Sequence, residues 1–283
     1  MCPNFAPVFW ALIWCGSSWF LMSDQGEQRE LAQASAHSPE AGGRLPLEEA
    51  VHCATSDELL KVAADPALTA GLALALLRRA DLPGDALEQL GKNRSLLKHR
   101  KVKIALVLHP RTPRHVSVPL IRQFYTFDLM KVALQPTAPA DVKRTADEVL
   151  IARLGTVTLG ERLTLARRGP GRTAGALLSD SEERIMRTAL ENARLTEVFV
   201  ARAVLQPEAG AALIQAVAQH PKWSYRRDVQ LALLRTEYLS LAKALAFARE
   251  IPPAELSEIL QNSRLPKKIK RQLLGETNRS RLT

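Results

Sequence analysis

Short runs of apolar residues at helical spacing, separated by Pro, Gly, Asn or His-Pro, constrain this chain more than any other feature. Leu and Ala dominate these runs, both are strong helix formers, and from Pro46 onward the segments are short. The only alternating stretches, at residues 116–118 and 156–158, are brief. The pattern predicts an all-α chain with helices of roughly 10 to 15 residues. The clearest sets are Ala146, Val149, Leu150 and Leu154; Ile185, Met186, Ala189 and Leu190; Tyr225, Val229, Ala232 and Leu233; Leu241, Ala244, Leu245 and Ala248; and Leu256, Ile259 and Leu260.

Three pairs of residues have the spacing of a capping box, in which the residue before a helix and a Glu three positions later satisfy each other's backbone N–H groups. These pairs predict helix starts. The pairs are Thr55 with Glu58, Thr158 with Glu161, and Asp180 with Glu183. Separately, the helical spacing of Tyr225 to Val229 and Leu233 predicts that Tyr225 lies in the core.

A four-residue motif recurs where one helix is expected to end and the next to begin. It has Asn or His first, a small residue or Pro second, and Arg or Lys third, which suits a turn because Asn tolerates a left-handed backbone and Pro stops a helix. Its last three copies are 28 and then 42 residues apart, so the repeat is degenerate. The copies are His109-Pro110-Arg111-Thr112, Asn192-Ala193-Arg194-Leu195, His220-Pro221-Lys222-Trp223 and Asn262-Ser263-Arg264-Leu265.

The segment LSDSEERIMRTALENARLTEVFVARAVL, Leu178 to Leu205, resembles the repeats of bacterial leucine-rich-repeat-variant and HEAT-like proteins. HPRTP, His109 to Pro113, resembles their Asn-Pro-x-Thr-Pro turn with His in place of Asn. The resemblance covers roughly residues 90 to 275 and implies a right-handed α-solenoid of degenerate HEAT-like helix pairs, with no particular activity. Some leucine-rich-repeat-variant proteins hold an iron–sulfur cluster in a Cys-rich N-terminal region. This chain lacks those cysteines, so no cofactor is expected.

The first 22 residues differ in composition from everything that follows. Phe5 to Met22 is uncharged and mostly apolar, and three explanations stay open: translation from Met22, a signal or membrane anchor, or a genuine added segment. We expect a disordered lead-in at 23–45, a helical-repeat domain at 46–275 and a basic tail at 276–283. If Met22 is the start, no stable membrane insertion is expected. The cysteines, Cys2, Cys15 and Cys53, do not form a disulfide pattern, which favours the cytoplasm.

The net charge of +10 is concentrated in two blocks. Between Gln89 and Phe127 there are nine Lys and Arg residues and no Asp or Glu, and a second cluster follows Arg264. Separated blocks of one sign are typical of a surface that tracks phosphates. They are equally compatible with a solvated face and a basic tail.

Motifs for nucleotide binding, for nucleophilic hydrolysis and for zinc are missing from the sequence. His109 and His115 are six residues apart, which does not place them on one helix face. We therefore expect no catalytic, cofactor-binding or metal-binding residues, and no enzyme.

The expected function is that of a non-catalytic scaffold that binds a protein or peptide on its superhelical surface; the alternative is binding of nucleic acid through the basic blocks. In Pro221 to Arg227, PKWSYRR, Trp223 is either a binding residue or a staple at the helix start. The candidate binding surface consists of Lys98, Arg100, Lys101, Lys103, Arg111, Arg114, Lys222, Trp223, Arg226, Arg227, Lys267, Lys268, Lys270 and Arg271.

Overall fold

The computed structural model describes residues 55–279, and this part of the chain is all-helical, without strands. The expectations for residues 1–22 and 23–45, the three cysteines and the last four residues lie outside it. Two 3-10 turns, Leu96–Lys98 and Leu177–Ser179, accompany the α-helices. These are α1 Ser56–Ala64, α2 Ala70–Leu76, α3 Gly84–Lys92, α4 Arg100–Leu108, α5 Arg114–Ile121, α6 Thr126–Leu134, α7 Ala140–Arg153, α8 Leu159–Arg168, α9 Gly171–Ala176, α10 Glu183–Leu190, α11 Glu197–Leu205, α12 Ala211–Gln219, α13 Arg227–Leu233, α14 Leu241–Ala248, α15 Pro253–Gln261 and α16 Lys267–Arg279.

The apolar spacing locates the buried faces of these helices. In α10, Ile185, Met186, Ala189 and Leu190 are all buried, as helical spacing predicts. The apolar end of α4 is covered on more than one side, since Leu106 and its neighbour Val107 are both inaccessible to solvent. One apolar core runs through the described chain from α1 to α16. No helix in residues 55–279 combines the length and the apolar character needed to cross a bilayer.

Two of the three predicted helix starts are confirmed. At α8, Thr158 Oγ1 accepts from the Glu161 N–H at 3.3 Å, and the Glu161 carboxylate accepts from the Thr158 N–H at 3.0 Å. At α1, Glu58 accepts from the Thr55 N–H at 2.8 Å. These backbone donors favour the ionised carboxylates and hold the pKa of Glu58 and of Glu161 below its ordinary value.

The third predicted start, at Asp180, is wrong. Helix α10 begins at Glu183 with Glu182 as its N-cap. Asp180 instead accepts from Arg162 Nη1 on α8 at 2.8 Å, and its Oδ1 accepts from the Glu182 N–H. The ion pair with α8 therefore takes the carboxylate away from the cap position.

Helix contacts follow chain order closely. Every extensive contact joins a helix to the next helix or to the next but one. We call α1, α3 and onward to α15 the odd helices, and α2, α4 and onward to α16 the even helices. Odd helices contact one another in the runs α1–α3 and α5–α7–α9–α11–α13. Even helices do so in the runs α2–α4–α6, α8–α10–α12 and α14–α16.

The recurring motif forms a turn that is bonded to an earlier turn of the same kind. Asn192, after α10, accepts from the Arg194 N–H at 2.8 Å. It donates Nδ2–H to the carbonyl of Ala166, in the last turn of α8, at 2.8 Å and to that of Gly169, just after α8, at 3.2 Å. Because Asn192 is buried, its amide cannot bond to water, and these protein partners satisfy it instead. The side chain thus closes its own turn and joins it to the preceding even-to-odd turn.

Histidine takes the place of Asn in two copies of the motif. His109 Nδ1 accepts from the Arg111 N–H at 3.3 Å, and His109 Nε2 lies 2.8 Å from the Arg79 carbonyl. An amide only donates and a carbonyl only accepts, so the imidazole proton is on Nε2. His220 Nδ1 likewise accepts from the Lys222 N–H at 3.1 Å. His109 thus bonds its own turn through one nitrogen and an earlier carbonyl through the other, as Asn192 does through its amide, whereas His220 Nε2 lies 3.1 Å from a carboxylate oxygen of Glu191.

The copy at Asn262 belongs to the opposite set of turns. It follows an odd helix, α15, and its link to an earlier turn is a backbone bond, from the Arg264 N–H to the Arg235 carbonyl at 3.0 Å. Beyond it, α16 continues to Arg279, past the domain boundary expected at residue 275.

Candidate functional site

The two sets of helices carry different charge. The odd helices contain nine Lys and Arg residues against eleven Asp and Glu. The even helices contain fifteen Lys and Arg residues against four acidic ones, Asp128, Glu161, Glu183 and Glu276. The excess positive charge of the described chain thus lies on alternate helices, and the remaining helices are slightly acidic.

Charges on the odd helices are paired between neighbouring helices. Arg114 on α5 contacts Asp141 on α7 at 3.3 Å, and Arg227 on α13 contacts Glu255 on α15 at 2.7 Å. Arg172 on α9 contacts Glu148 on α7 at 3.4 Å. These pairs connect odd helices to one another and leave few of their cations for a ligand.

Asp147, also on α7, is partly buried beside α9. Burial raises its pKa above the ordinary value, although the Thr173 hydroxyl donates to its Oδ1 at 3.2 Å.

Two even-helix arginines hold the fold together. Arg100, at the start of α4, donates Nε–H to both carboxylate oxygens of Asp128 on α6 at 2.8 and 2.9 Å, and its Nη2 makes a further short contact. The Asp128 side chain is only 2% exposed. Arg162 on α8 pairs with Asp180 at 2.8 Å. Arg100 was predicted as a binding residue, and its guanidinium is already committed to a buried carboxylate.

Three other arginines line a groove between α8 and α10 with a volume of about 690 Å³. Arg167, Arg168 and Arg184 form no ion pair within the described chain. Two threonine hydroxyls in this groove, on Thr164 and Thr188, donate to carbonyls of their own helices. A negatively charged group in the groove would therefore be met by guanidinium donors. The lining residues are Leu163, Thr164, Arg167, Arg168, Arg184, Thr188 and Glu191.

The predicted first block is divided between the two sets. Lys101 and Lys103 lie on α4, with Lys98 in the 3-10 turn before it. Arg111 lies in the turn after α4, where its Nη1–H donates to the Asp81 carbonyl at 3.1 Å. Arg114 lies on an odd helix in the ion pair described above.

The predicted second block lies together on one even helix, α16, which contains Lys267, Lys268, Lys270 and Arg271. Lys270 donates to the Ser263 carbonyl at 2.7 Å and anchors the start of this helix. The core of each block thus lies on even helices, α4 and α16.

Trp223 is not a surface binding residue, so this prediction is wrong. Its side chain is 2% exposed, and the indole N–H donates to the Leu190 carbonyl at 2.9 Å. The Lys222 ammonium lies 4.1 Å from the ring centroid. Tyr225, expected in the core, is 78% exposed because residues 221–225 form a turn and helical spacing does not apply there. Of the flanking arginines, Arg226 is exposed and Arg227 is paired with Glu255.

The sequence reasoning missed two groups of residues. The groove arginines were outside both basic blocks, although the doublet Arg167-Arg168 at a helix end is visible in the sequence. Two exposed aromatic side chains, Tyr125 and Phe127, were also missed. The sequence feature that could have indicated them is their position at the end of residues 89–127, which contain basic residues and no acidic ones.

Residues 55–279 contain no group of three or more His, Cys, Asp and Glu side chains arranged to hold a metal ion. No protein-family model, curated protein or solved structure matches the chain. The fold and the cationic helix set are therefore the basis for an argument about function.

Proposed function

We propose that this chain is a non-catalytic, right-handed α-solenoid of HEAT-like helix pairs that binds nucleic acid along its even helices. Two observations support the solenoid. Extensive contacts join only first and second neighbours in chain order. The bonds between turns span about one helix pair, as from Asn192 to Ala166, 26 residues earlier, and from His109 to Arg79, 30 residues earlier.

The observation that carries the nucleic-acid proposal is the charge difference between the two helix sets. Fifteen basic residues against four acidic ones are distributed over alternate helices from α4 to α16, and we infer that they form an extended array. An extended polyanion with regularly spaced phosphates can contact such an array at many points, and each contact releases condensed counterions. Arg167, Arg168 and Arg184 line a concave groove within this set of helices.

A protein or peptide partner is the alternative. It was the first expectation from the sequence, and an acidic segment would also be attracted to the even helices. Nucleic acid is favoured because the cores of both basic blocks, on α4 and α16, belong to the same helix set. The proposal places the protein in the cytoplasm, where nucleic acid is accessible.

The test is equilibrium binding to labelled single-stranded DNA, duplex DNA and RNA over a series of salt concentrations. The variant R167A/R168A/R184A removes three even-helix cations without introducing new charge. Its matched control, K61A/R144A/R202A, removes three exposed cations from odd helices. For duplex DNA, log K for the wild type should fall steeply with log salt, and the groove variant should lose up to about 2.7 of that slope, roughly 0.9 per phosphate contact. The odd-helix control should keep the wild-type slope.

Weak binding without salt dependence, or equal losses in both triple variants, would contradict the proposal. The even helices would then be a solvated surface, and a protein partner would become the leading explanation.

A further inference from the structure

Two aromatic side chains at the start of α6 are exposed to solvent and do not belong to the apolar core of the described chain. Tyr125 is the N-cap of this helix and is 78% exposed, and Phe127 is 40% exposed. Aromatic side chains gain free energy mainly by covering their apolar faces. We refer to these two residues as the aromatic platform.

Positively charged side chains are bonded to the segment that contains the aromatic platform. Arg100 pairs with Asp128, the residue after Phe127 in the chain. Arg153 donates to the carbonyl of Phe124, the residue before Tyr125, at 2.6 Å and also to that of Arg122. Lys131 is exposed one turn after Phe127 on α6, so the two project from the same helix face.

The nearby carboxylates are already engaged. Asp128 is the only acidic residue on α4 or α6, and it is paired with Arg100. Glu161, at the start of α8, accepts from the backbone and hydroxyl of Thr158 and from the Thr126 side chain. Counted together, Arg100, Arg153 and Lys131 against Asp128 and Glu161 carry a net charge of +1, and the two exposed rings lie on the same segment of chain.

We infer that the aromatic platform stacks the bases of single-stranded nucleic acid, while cations of the even helices contact its phosphates. Exposed rings among cations are the arrangement that holds single strands, since every base offers a flat face to stack on. In a duplex those faces are already stacked on neighbouring base pairs, so a duplex gains only the phosphate contacts. This inference rests on the proposed function and narrows its ligand to single strands.

The experiment compares a labelled oligothymidylate of about 20 nucleotides with a duplex of equal length. The variant Y125A/F127A removes the rings and leaves every cation in place. The matched control is Y225A, because Tyr225 is also 78% exposed and is flanked by a basic residue, Arg226. The variant Y125F keeps a ring at the first position and tests whether the ring itself is what matters.

For the single strand, Y125A/F127A should weaken binding by roughly 10- to 100-fold. Loss of one base–aromatic stack is enough to weaken binding by about this factor. Its salt slope should equal that of the wild type, because no phosphate contact is lost. Duplex binding should be unchanged, and both Y225A and Y125F should bind as the wild type does.

Equal losses for single strand and duplex, or a loss in Y225A as large as in Y125A/F127A, would overturn the inference. If the wild type binds both ligands with a steep salt slope and Y125A/F127A matches it, only the stacking role fails. If the wild type binds neither, the proposed function fails, and this inference fails with it.

Discussion

The odd and even helices differ in what their charged residues do, although their apolar faces contribute to one core. On the odd helices, basic and acidic residues nearly balance, and cross-helix pairs such as Arg114 with Asp141 use them for structure. On the even helices, basic residues exceed acidic ones by eleven. Like charge destabilises a folded chain and is not needed for packing. The difference leaves the even helices with a surplus of cations, and the proposed function assigns that surplus to a ligand.

The largest expected effect concerns an even-helix cation that is structural. Arg100→Ala leaves the buried Asp128 carboxylate without its partner and should lower the free energy of unfolding by about 3 kcal/mol. The measurement is urea unfolding followed by circular dichroism. Lys98→Ala, two residues away and exposed, should change it by less than about 0.5 kcal/mol. Similar small effects for both would return Arg100 to the set of binding cations.

The next effect concerns the turns that join consecutive helix pairs. Asn192→Ala removes three hydrogen bonds from a buried site and should cost about 2 kcal/mol. Asn262→Ala removes an exposed side chain from the corresponding motif position and serves as the control. Thermal or urea unfolding measures both, and a loss at Asn262 equal to that at Asn192 would mean that side-chain bonds between turns are not what stabilises the motif.

A smaller effect tests the charge difference without any ligand. Arg184→Glu adds a negative charge among the basic residues of the α8–α10 groove and should raise the unfolding free energy by about 0.5 kcal/mol at low salt. Arg144→Glu, on the odd helix α7 between Asp141 and Glu148, should lower it by a similar amount. Both differences should shrink in about 1 M salt because exposed charges are then screened. The same sign for both variants would argue against a different electrostatic environment on the two sets.

The smallest effect is at Asp147, whose pKa is raised by burial. A raised carboxyl pKa means that the folded chain prefers the protonated form, so ionised Asp147 reduces stability above the folded pKa and has no such cost below the ordinary value. Asp147→Asn should therefore stabilise the protein slightly at neutral pH, while an amide oxygen still accepts from Thr173. The gain should disappear as the pH falls below the ordinary value of 3.8. A gain that persists in acid would point to a cause other than ionisation.

Local patterns in the sequence located several helices and some of their ends. The expected helix lengths were too long, since thirteen of the sixteen α-helices in residues 55–279 have six to nine residues. Ile185 and Leu190 were placed correctly by spacing, and Thr158 with Glu161 by its capping box. The partner of Arg100 is 28 residues away, and no local pattern indicates it. Tyr225 was placed in the core because helical spacing was extended into a turn, and Trp223 was named as a candidate binding residue from its basic neighbours although its side chain is buried.

The charge difference between the two helix sets was also hidden. It becomes visible only when each helix is bounded and counted in order, because the basic residues of alternate helices are separated in sequence by nearly neutral ones. Arg167 and Arg184 face one groove although they are 17 residues apart.

In the proposed solenoid, bonds that join one turn to the turn before it, such as that of Asn192, would make the cooperativity of folding one-dimensional. The turn of Asn192 is hydrogen-bonded to the helix pair before it. The next pair is bonded to the same region, because the Trp223 indole N–H donates to the Leu190 carbonyl. In a chain coupled in this way, disruption spreads inward from the ends one pair at a time. A nucleic-acid strand bound across several helix pairs should stabilise those pairs together. It should therefore suppress this unfolding from the ends more than the same number of contacts made to a single pair.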